Sequence, residues 1–481
     1  MSKEDDTRQV ESNSTLWEGR LSAPSSNIFN KYVDSIGFDI VLAPYDVLVS
    51  RAHVKMLSAT GIVDKSTCQT ILDGFDVIEH EISSGEFQAS IVSTDEDVHT
   101  AIERRITELT GDAGRALHTG RSRNDLAQMS GRLFTRDAID RIRKSVEQAI
   151  AVLCDLASKN IETIFPGKTH LQHAQPILLS HWIMSHVSRL MNDRERLIEV
   201  HERVNVCVLG SGALAGSTLP LDPKMVAKEL GCSKNVDNSI FAVSARDYIT
   251  ETLFVLAQIV NNLSCLGEDI VWMTSTECGY ATLDDQFSSG SSMMPQKKNP
   301  DIAELVRGKA GLSIGSLTAA LAATKSQIFG YNHDLQVDKE ALFSSVKDCE
   351  LSLMAMSAMM ETIKFNKDVC EESLVNQPLS LATDIAEMMV INGTPFRIAY
   401  KAVAVCINRA IESELKGNEL CDYLRDDDLI GAAAKEVLGS SDSALLDALK
   451  KSIERRSTLA GTATKNVQSQ IKATTEAIAN N

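Results

Sequence analysis

Residues 253–273, LFVLAQIVNNLSCLGEDIVWM, decide the fold class, because their apolar side chains recur every three or four positions. That spacing predicts one helical face carrying Leu253, Leu256, Ile259, Leu263, Leu266, Ile270 and Met273. Three further stripes with the same period occupy residues 139–156, 183–208 and 302–321. Helices of about 20–30 residues would be roughly 30–45 Å long. The sequence therefore predicts an all-α fold around a long helical bundle, with every apolar stripe packed in the core.

The breaks between these stripes suggest the domain organisation. Residues 164–168 (IFPGK), 210–217 (GSGALAGS) and 284–300 interrupt the helical pattern with Gly, Pro and Ser. We expect a mostly helical first domain at 1–118 with a flexible polar tail, a central bundle at 119–365 and a small helical domain at 366–481. The segment 284–300 predicts a long loop, and such loops are uncommon inside a compact domain unless they are functional.

The composition argues against several classes of function. The formal net charge is −17, and the sequence has no basic stripe of the kind that nucleic-acid binders carry. The polar N-terminus lacks a signal core, and no uninterrupted apolar run approaches the roughly 18 residues that span a membrane. The ten cysteines include no CxxC pair. We therefore expect a soluble cytoplasmic protein with reduced thiols and neither a nucleic-acid nor a membrane partner.

Three polar segments, each beside an apolar stripe, carry candidate chemistry. Residues 118–125 (HTGRSRND) combine two arginines with an asparagine, and such donors suit carboxylates. Residues 166–176 (PGKTHLQHAQP) hold two histidines, which titrate near neutrality and can act as acid or base. Residues 290–300 (GSSMMPQKKNP) place serines and lysines on a loop that leads into a helix, where backbone amides attract anions.

Each segment also has a purely structural interpretation. The first fits a solvated basic turn at a helix start, and the second fits polar residues at a helix entrance. The third fits a flexible or anion-binding loop. Other catalytic classes lack support, because the dinucleotide-binding, P-loop and zinc-protease motifs are missing from the sequence, and we expect no GxSxG nucleophile elbow. A Ser–Lys hydrolase lacks supporting context, and no metal-ligand cluster is apparent.

The third segment is similar to the GSSxMPxKxNP loop of the fumarase/aspartase/argininosuccinate lyase superfamily. Residues 117–125 (LHTGRSRND) and 169–176 (THLQHAQP) resemble argininosuccinate lyases in particular. Shorter similarities lie at 16–20 (LWEGR), 97–100 (DVHT), 282–285 (TLDD), 331–336 (YNHDLQ), 382–384 (ATD) and 393–397 (GTPFR). The resemblance implies a lyase that cleaves argininosuccinate to arginine and fumarate in arginine biosynthesis. It also implies a homotetramer with a twenty-helix core, whose sites each combine three subunits, and no cofactor or metal.

The resemblance further implies catalytic roles for four residues. Ser291 would be the base that removes a proton beside a carboxylate of the succinyl moiety. Lys297, together with backbone amides, would stabilise the resulting negative charge. His170 would assist protonation of the leaving guanidinium nitrogen, directly or through water, and Glu304 would orient His170.

Substrate-binding roles follow from the same resemblance. The carboxylates at the fumarate end would be held by Arg123, Asn124, Thr169 and Asn299. The arginine end would be contacted by Tyr331, Gln336 and Lys339. Further candidates for substrate contact are Ser35, His99 and Thr100.

Some departures from the family's pattern leave the details of the substrate open. Lys168 stands where Tyr is usual, His173 where Arg is usual and Ile102 where Asn is frequent, and residues 276–280 also differ. One alternative is a related lyase that acts on another N-substituted aminosuccinate, or a fumarase or aspartase. The other is a catalytically silent structural protein like the lens crystallins that resemble this family. Retention of Ser291 and His170 favours an active enzyme.

Overall fold

The computed structural model describes residues 26–439 and 444–479, so the predicted tail and the 16–20 similarity lie outside the described residues. The helices are α1 (Asn27–Val33), α2 (Ile36–Asp39), α3 (Ala43–Ala59), α4 (Lys65–Ser84), α5 (Glu86–Ala89), α6 (Val98–Thr110), α7 (Asp112–Arg115), α8 (Arg123–Lys159), α9 (Leu179–Val204), α10 (Pro223–Glu229), α11 (Ser239–Ser244), α12 (Asp247–Met273), α13 (Asp301–Thr324), α14 (Asp338–Thr362), α15 (Lys367–Val375), α16 (Ala382–Ile391), α17 (Phe396–Glu412), α18 (Gly417–Asp426), α19 (Gly431–Leu438), α20 (Leu445–Arg455) and α21 (Thr464–Ala479). Short 3-10 turns occupy Ile40–Leu42, Ala116–His118, Asp285–Phe287, His333–Val337 and Pro378–Leu381. The predicted helical fold class is confirmed.

Eight short strands form four two-stranded sheets in the described residues. They are β1 (Ile164–Thr169), β2 (Gln172–Leu178), β3 (Val206–Cys207), β4 (Lys234–Asn235), β5 (Ala281–Thr282), β6 (Ser289–Gly290), β7 (Lys298–Asn299) and β8 (Lys364–Phe365). The pairs β1–β2, β5–β8 and β6–β7 are antiparallel, and β3–β4 is parallel. The expectation of a helix entrance at 166–176 was therefore wrong, since this segment forms most of the β1–β2 hairpin.

Three of the four apolar stripes are buried as predicted. Every stripe residue in α8 and α12 is buried, and so are those in α9. The second stripe runs past its helix, because α9 ends at Val204 and Val208 lies beyond it. The fourth stripe, on α13, was wrongly assigned to the core of one chain, because Leu305, Ile314 and Leu321 are more than half exposed.

The described chain forms two compact units. Unit 1 comprises the described residues of Met1–Arg141 together with Leu197–Phe254 and Ile314–Val346. Unit 2 comprises Ile142–Arg196, Val255–Ser313 and the described residues of Lys347–Asn481. In unit 1, α4 packs against α3 and α6, and in unit 2, α16 packs against α17 and α19. The division into domains 1–118, 119–365 and 366–481 stays a prediction.

Local sequence signals account for the helix ends in unit 1. Asp64 caps α4 by accepting a hydrogen bond from the Thr67 backbone N–H (2.9 Å). Gly85 ends the same helix in a left-handed conformation (φ 82°), which glycine adopts without steric cost. Asp97 caps α6 in the same way as Asp64, through the Thr100 N–H (2.7 Å). This cap places His99 in the first turn of α6.

One long helix, α12, is apolar enough by length and composition to cross a membrane. Of the residues in its most apolar stretch, 61% are buried within the chain, as expected for a core helix of a folded protein. The polar residues Asn261, Asn262, Glu268 and Asp269 interrupt its apolar sequence.

Candidate active site

Unit 1 contains a cavity of about 230 Å³ whose walls carry most of the predicted substrate-binding residues. Those that line it are Ser35, His99, Arg123, Asn124, Tyr331, Gln336 and Lys339. Thr100 does not line the cavity, and its hydroxyl instead donates to the capping Asp97 (2.8 Å). Thr169 and Asn299 lie in unit 2. The volume is somewhat below the roughly 300–1,000 Å³ of typical small-molecule sites.

A buried acid–imidazole pair forms one wall of this cavity. His99 is buried, and its Nδ1 makes a hydrogen bond of 2.5 Å to the Asp46 carboxylate. Within the described part of the chain, His99 Nε2 has no hydrogen-bond partner. Burial acts to lower the pKa of His99, but Asp46, Asp97 and Asp39 outweigh burial and raise it. His99 is therefore suited to carry a positive charge beside the cavity.

Arg123 enters the cavity already paired with acids. Its Nη1 lies 3.3 Å from a Glu96 oxygen and 3.1 Å from an Asp97 oxygen. Burial acts to raise the pKa of Asp97, but His99 and Arg123 outweigh it and hold that pKa below its usual range. The sequence interpretation assigned Arg123 to a substrate carboxylate without detecting these two competing partners.

The opposite charges on the cavity wall are balanced nearly one for one. Arg246 donates through Nε to the buried Asp338 (2.6 Å), and Lys339 Nζ lies 3.7 Å from the other Asp338 oxygen. In all, the lining has four carboxylates, Asp39, Glu96, Asp97 and Asp338, and three permanent cations, Arg123, Arg246 and Lys339. Such a wall can bind a ligand that carries both a guanidinium and carboxylates.

Backbone contacts within unit 1 fix the remaining polar side chains. Gln336 Nε2 donates to the Val33 carbonyl (2.9 Å), and Asn124 Nδ2 donates to the Ala213 carbonyl (3.1 Å). Ser35 Oγ donates to Asp39 (2.7 Å). Burial raises the pKa of Tyr331, so its phenol remains a neutral hydrogen-bond donor. These side chains are therefore largely positioned before any ligand binds.

Asp39 should make stability pH-dependent, because burial raises its pKa from 3.8 to about 6. A carboxyl whose pKa rises on folding stabilises the fold most at low pH, and this contribution is lost as pH rises from about 4 to about 6. The loss corresponds to about 3 kcal/mol. Asp39→Asn should therefore gain about that much unfolding free energy over wild type between pH 4 and pH 7 in denaturant titrations. An identical pH dependence in both proteins would contradict this account.

Unit 2 holds Ser291 on a loop closed by a small hairpin. In the β6–β7 ladder, Ser289 pairs with Asn299 and Gly290 pairs with Lys298, so the expected long irregular loop is shortened to residues 291–297. The Ser291 hydroxyl oxygen accepts hydrogen bonds from the backbone N–H groups of Met293 (3.2 Å) and Met294 (3.0 Å). Two amide donors on one oxygen stabilise negative charge on it.

His170 lies at the turn of the β1–β2 hairpin in unit 2. Thr169 pairs with Gln172, leaving His170 (φ 54°) and Leu171 (φ 58°) as the two central residues. Left-handed backbone at two non-glycine residues is strained, and such strain concentrates at functional sites. Both side chains are exposed. Glu304, in the first turn of α13, is also exposed, and no hydrogen bond joins it to His170 in the described part of one chain.

Residues 311–315 (GLSIG) match the GxSxG spacing of a serine-hydrolase nucleophile elbow, which the sequence interpretation overlooked. An elbow needs a sharp strand-to-helix turn that exposes the serine. Here the segment lies within α13, and Ser313 is buried. The match therefore gives no support to a hydrolase.

Comparisons with known proteins identify the family of the chain. The sequence model of a family described as "Lyase" matches residues 19–315, and that of "Argininosuccinate lyase C-terminal" matches residues 379–444. An argininosuccinate lyase of Mycobacterium leprae (strain Br4923) is 44% identical over 421 residues, which cover 87% of this chain and 88% of the relative. One from Corynebacterium jeikeium (strain K411) is 43% identical over 457 residues, covering 95% and 91%.

Solved structures resemble the fold over nearly its full length. EDDS lyase in complex with formate is 27% identical with a TM-score of 0.80, and the match covers 95% of this chain and 91% of that one. A class II fumarase from Schistosoma mansoni is 17% identical with a TM-score of 0.73, covers 88% and 93%, and shows the fold alone. Together with the Ser291 loop, these similarities define a lyase of the fumarase/aspartase superfamily. Since two curated relatives exceed 40% identity over most of its length, the chain belongs to the argininosuccinate lyase family. The resemblance seen in the sequence is confirmed, and the chain is a carbon–nitrogen lyase.

Proposed function

We propose that this chain cleaves argininosuccinate into arginine and fumarate, in the pathway that makes arginine. The observation that carries the proposal is the unit 1 cavity. Its four carboxylates offer partners for a guanidinium and an α-ammonium group, and its cations offer partners for carboxylates. Tyr331, Gln336 and Lys339 would bind the arginine end, and Ser35 and His99 would contact the ligand from the facing elements.

In the proposed mechanism, Ser291 acts as an alkoxide base. Its oxygen removes a proton from the carbon beside a succinyl carboxylate, and the electron pair is first held on that carboxylate. The pair then forms the new C=C bond as the C–N bond breaks. The Met293 and Met294 amides support this role because they lower the cost of charge on the serine oxygen. The Lys297 ammonium adds electrostatic stabilisation to the doubly charged carboxylate of the intermediate.

Protonation of the leaving nitrogen completes the proposed elimination. The electron pair of the broken C–N bond stays on the guanidino nitrogen, and a proton supplied through His170 restores the guanidinium of arginine. Glu304 would orient His170 in the assembled enzyme. Asn124, Thr169, Asn299 and Arg123 would hold the carboxylates that remain on fumarate.

Exposed apolar side chains support assembly into a homotetramer with sites shared between subunits. On α13, Leu305 and Leu312 are 63% and 59% exposed, and on α14, Leu351 and Met354 are 56% and 64% exposed. Long helices with such apolar surfaces are stabilised by packing against other copies of the same chain. A tetramer would also allow catalytic segments from different copies of the chain to meet in one site.

The cysteines support a cytoplasmic location. None of the ten forms a disulfide in the described residues, and most are buried. Free buried thiols are typical of proteins from reducing compartments. Subcellular fractionation of the host, with detection by antibody, tests the location.

A substrate comparison tests the proposed activity. Purified protein is incubated with argininosuccinate, aspartate, malate and another N-substituted aminosuccinate, and fumarate formation is followed by ultraviolet absorbance. The proposal predicts that kcat/KM for argininosuccinate exceeds the others by at least about a hundredfold, since the carboxylates of the site favour a substrate that carries a guanidinium. A preference for a different aminosuccinate would indicate a related lyase, and no turnover at all would indicate a silent scaffold.

The proposed elimination should need no metal ion. The described residues contain no group of three His, Cys, Asp or Glu side chains arranged to hold one. Dialysis against a chelator should therefore leave kcat and KM of the enzyme unchanged. Loss of activity that an added divalent cation restores would contradict this prediction.

A further inference from the structure

We propose that Lys298 and Asp285 form a clamp that positions the Ser291 loop, which makes them positioning residues for the reaction. This inference rests on the proposed function, in which Ser291 is the base. The clamp is defined by Lys298 and its two acceptors, the Asp285 carboxylate and the Leu283 carbonyl. The clamp connects β7, which follows the Ser291 loop, to residues 283–285, which precede it.

The contacts of Lys298 are short and well directed. Its Nζ donates to the Leu283 carbonyl (2.5 Å) and to Asp285 Oδ1 (2.6 Å). The positive charge of Lys298 holds the pKa of Asp285 below its usual range, as expected for an ion pair. Because the Lys298 backbone pairs with Gly290, the clamp acts one residue away from Ser291.

Two further contacts hold the same end of the loop. The Ser289 backbone N–H donates to Asp301 (2.9 Å), and Asn299 Nδ2 donates to the Ser289 hydroxyl (3.2 Å). Further along the loop, past these contacts, the Met293 side chain is 87% exposed. The position of the Ser291 oxygen therefore depends on the base of the loop, where Lys298 supplies the only positive charge among these contacts.

The two adjacent lysines have different environments. Among the described residues, the Lys297 ammonium makes no hydrogen bond or salt bridge and is attracted only at longer range by Asp301, whereas the Lys298 ammonium has two acceptors. An ammonium held by a carbonyl and a carboxylate has two of its three donors occupied and is fixed in direction. Lys297 thus remains available for negative charge that develops in the site, and Lys298 serves the geometry of the loop.

Loss of the clamp should reduce catalysis more than it reduces binding or folding. Exposed ion pairs contribute little to global stability, so the variants should fold. A displacement of about 1 Å at a reacting group lowers turnover by up to about a hundredfold. Because Ser291 reacts only in the transition state, the effect should fall mainly on kcat.

The test compares Lys298→Met, Lys298→Arg and Asp285→Ala with the control Lys159→Met, which removes an exposed lysine paired with Asp155 on α8. We expect kcat to fall about 10–100-fold in Lys298→Met, with KM within about threefold of wild type. Lys298→Arg should restore much of the loss. The Met293 and Met294 amides should exchange their protons at least about tenfold faster in Lys298→Met than in Lys159→Met.

A double variant tests whether the two residues act through one contact. Lys298→Met combined with Asp285→Ala should be no slower than Lys298→Met alone, and additive losses would overturn the clamp. Wild-type kcat and wild-type amide exchange in Lys298→Met would also overturn it. If Ser291→Ala keeps full turnover, the proposed role of Ser291 as the base fails instead, and the amide exchange still decides whether the clamp exists. Should Lys298→Met not fold, kcat and amide exchange are compared between Asp285→Ala and Lys159→Met instead.

Discussion

Replacing Ser291 with alanine should lower turnover of argininosuccinate by about a thousandfold or more. The substitution removes the oxygen that takes the substrate proton, and general-base catalysis contributes about 10²–10⁴ in rate. It leaves the unit 1 cavity in place, so the variant should bind substrate with nearly unchanged affinity. Steady-state kinetics and equilibrium binding of the substrate measure the two effects separately.

The adjacent Ser292 provides the matched control. Ser292 is exposed, and within the described residues its hydroxyl makes no hydrogen bond, whereas the Ser291 oxygen accepts two from backbone amides. Ser292→Ala should therefore keep most of the activity. If Ser291→Ala turned over normally and Ser292→Ala did not, the base would be Ser292 and the role of the two amides would be wrong.

Mixing two inactive variants should restore activity if sites are shared between subunits. His170→Asn and Ser291→Ala each remove one catalytic group, and hybrids form when the two proteins are unfolded and refolded together. Some hybrid sites receive an intact His170 from one parent and an intact Ser291 from the other. Random assortment predicts recovery of roughly a quarter of wild-type activity or less. The activity of the refolded mixture, beside each parent refolded alone, measures this effect.

The alternative predicts a different result for the same mixture. If each chain built its own site, every site would carry one lesion and the hybrids would remain inactive. Native mass spectrometry identifies tetramers that contain both parents. Inactive mixed tetramers would exclude shared sites. They would not contradict the lyase activity of the wild-type protein.

Periodicity predicted the helices well but could not predict what covers them. The stripes on α8, α9 and α12 are buried within one chain, whereas the identical pattern on α13 leaves Leu305 and Ile314 exposed. A three-to-four residue repeat marks an apolar helix face and does not identify its partner, which can be the same chain or another copy. The repeat on α13 therefore correctly predicted a helix, but the prediction that its apolar face is buried within the same chain was wrong.

The β1–β2 hairpin shows a second limit of the sequence. Two-residue turns with left-handed backbone usually contain Asn-Gly or Asp-Gly. This turn contains His170 and Leu171, so the usual local signal for a hairpin is missing. Tertiary context must therefore hold the turn, and that context cannot be deduced from the local residues.

The candidate site was located mainly by motif resemblance, and its supporting residues were missed. Asp46 lies within the mostly apolar helix α3, and Asp39 lies in the short helix α2, where each looks like an ordinary surface acid. Both are buried in the fold, and Asp46 bonds to His99. A single carboxylate at a core-facing position of an apolar helix is the one signal that could have identified Asp46. The GSSxMPxKxNP pattern specifies a lysine at position 297 and leaves position 298 open, so no role for Lys298 was predicted.

The most direct test of the account is the product stoichiometry from argininosuccinate. Purified enzyme is incubated with this substrate, and arginine and fumarate are quantified together by proton nuclear magnetic resonance. The account predicts that both appear in equal amounts, with wild-type enzyme and with Ser292→Ala, and that neither forms above background with Ser291→Ala. Absence of both products with the folded wild-type protein, or equal product formation by Ser291→Ala, would contradict it.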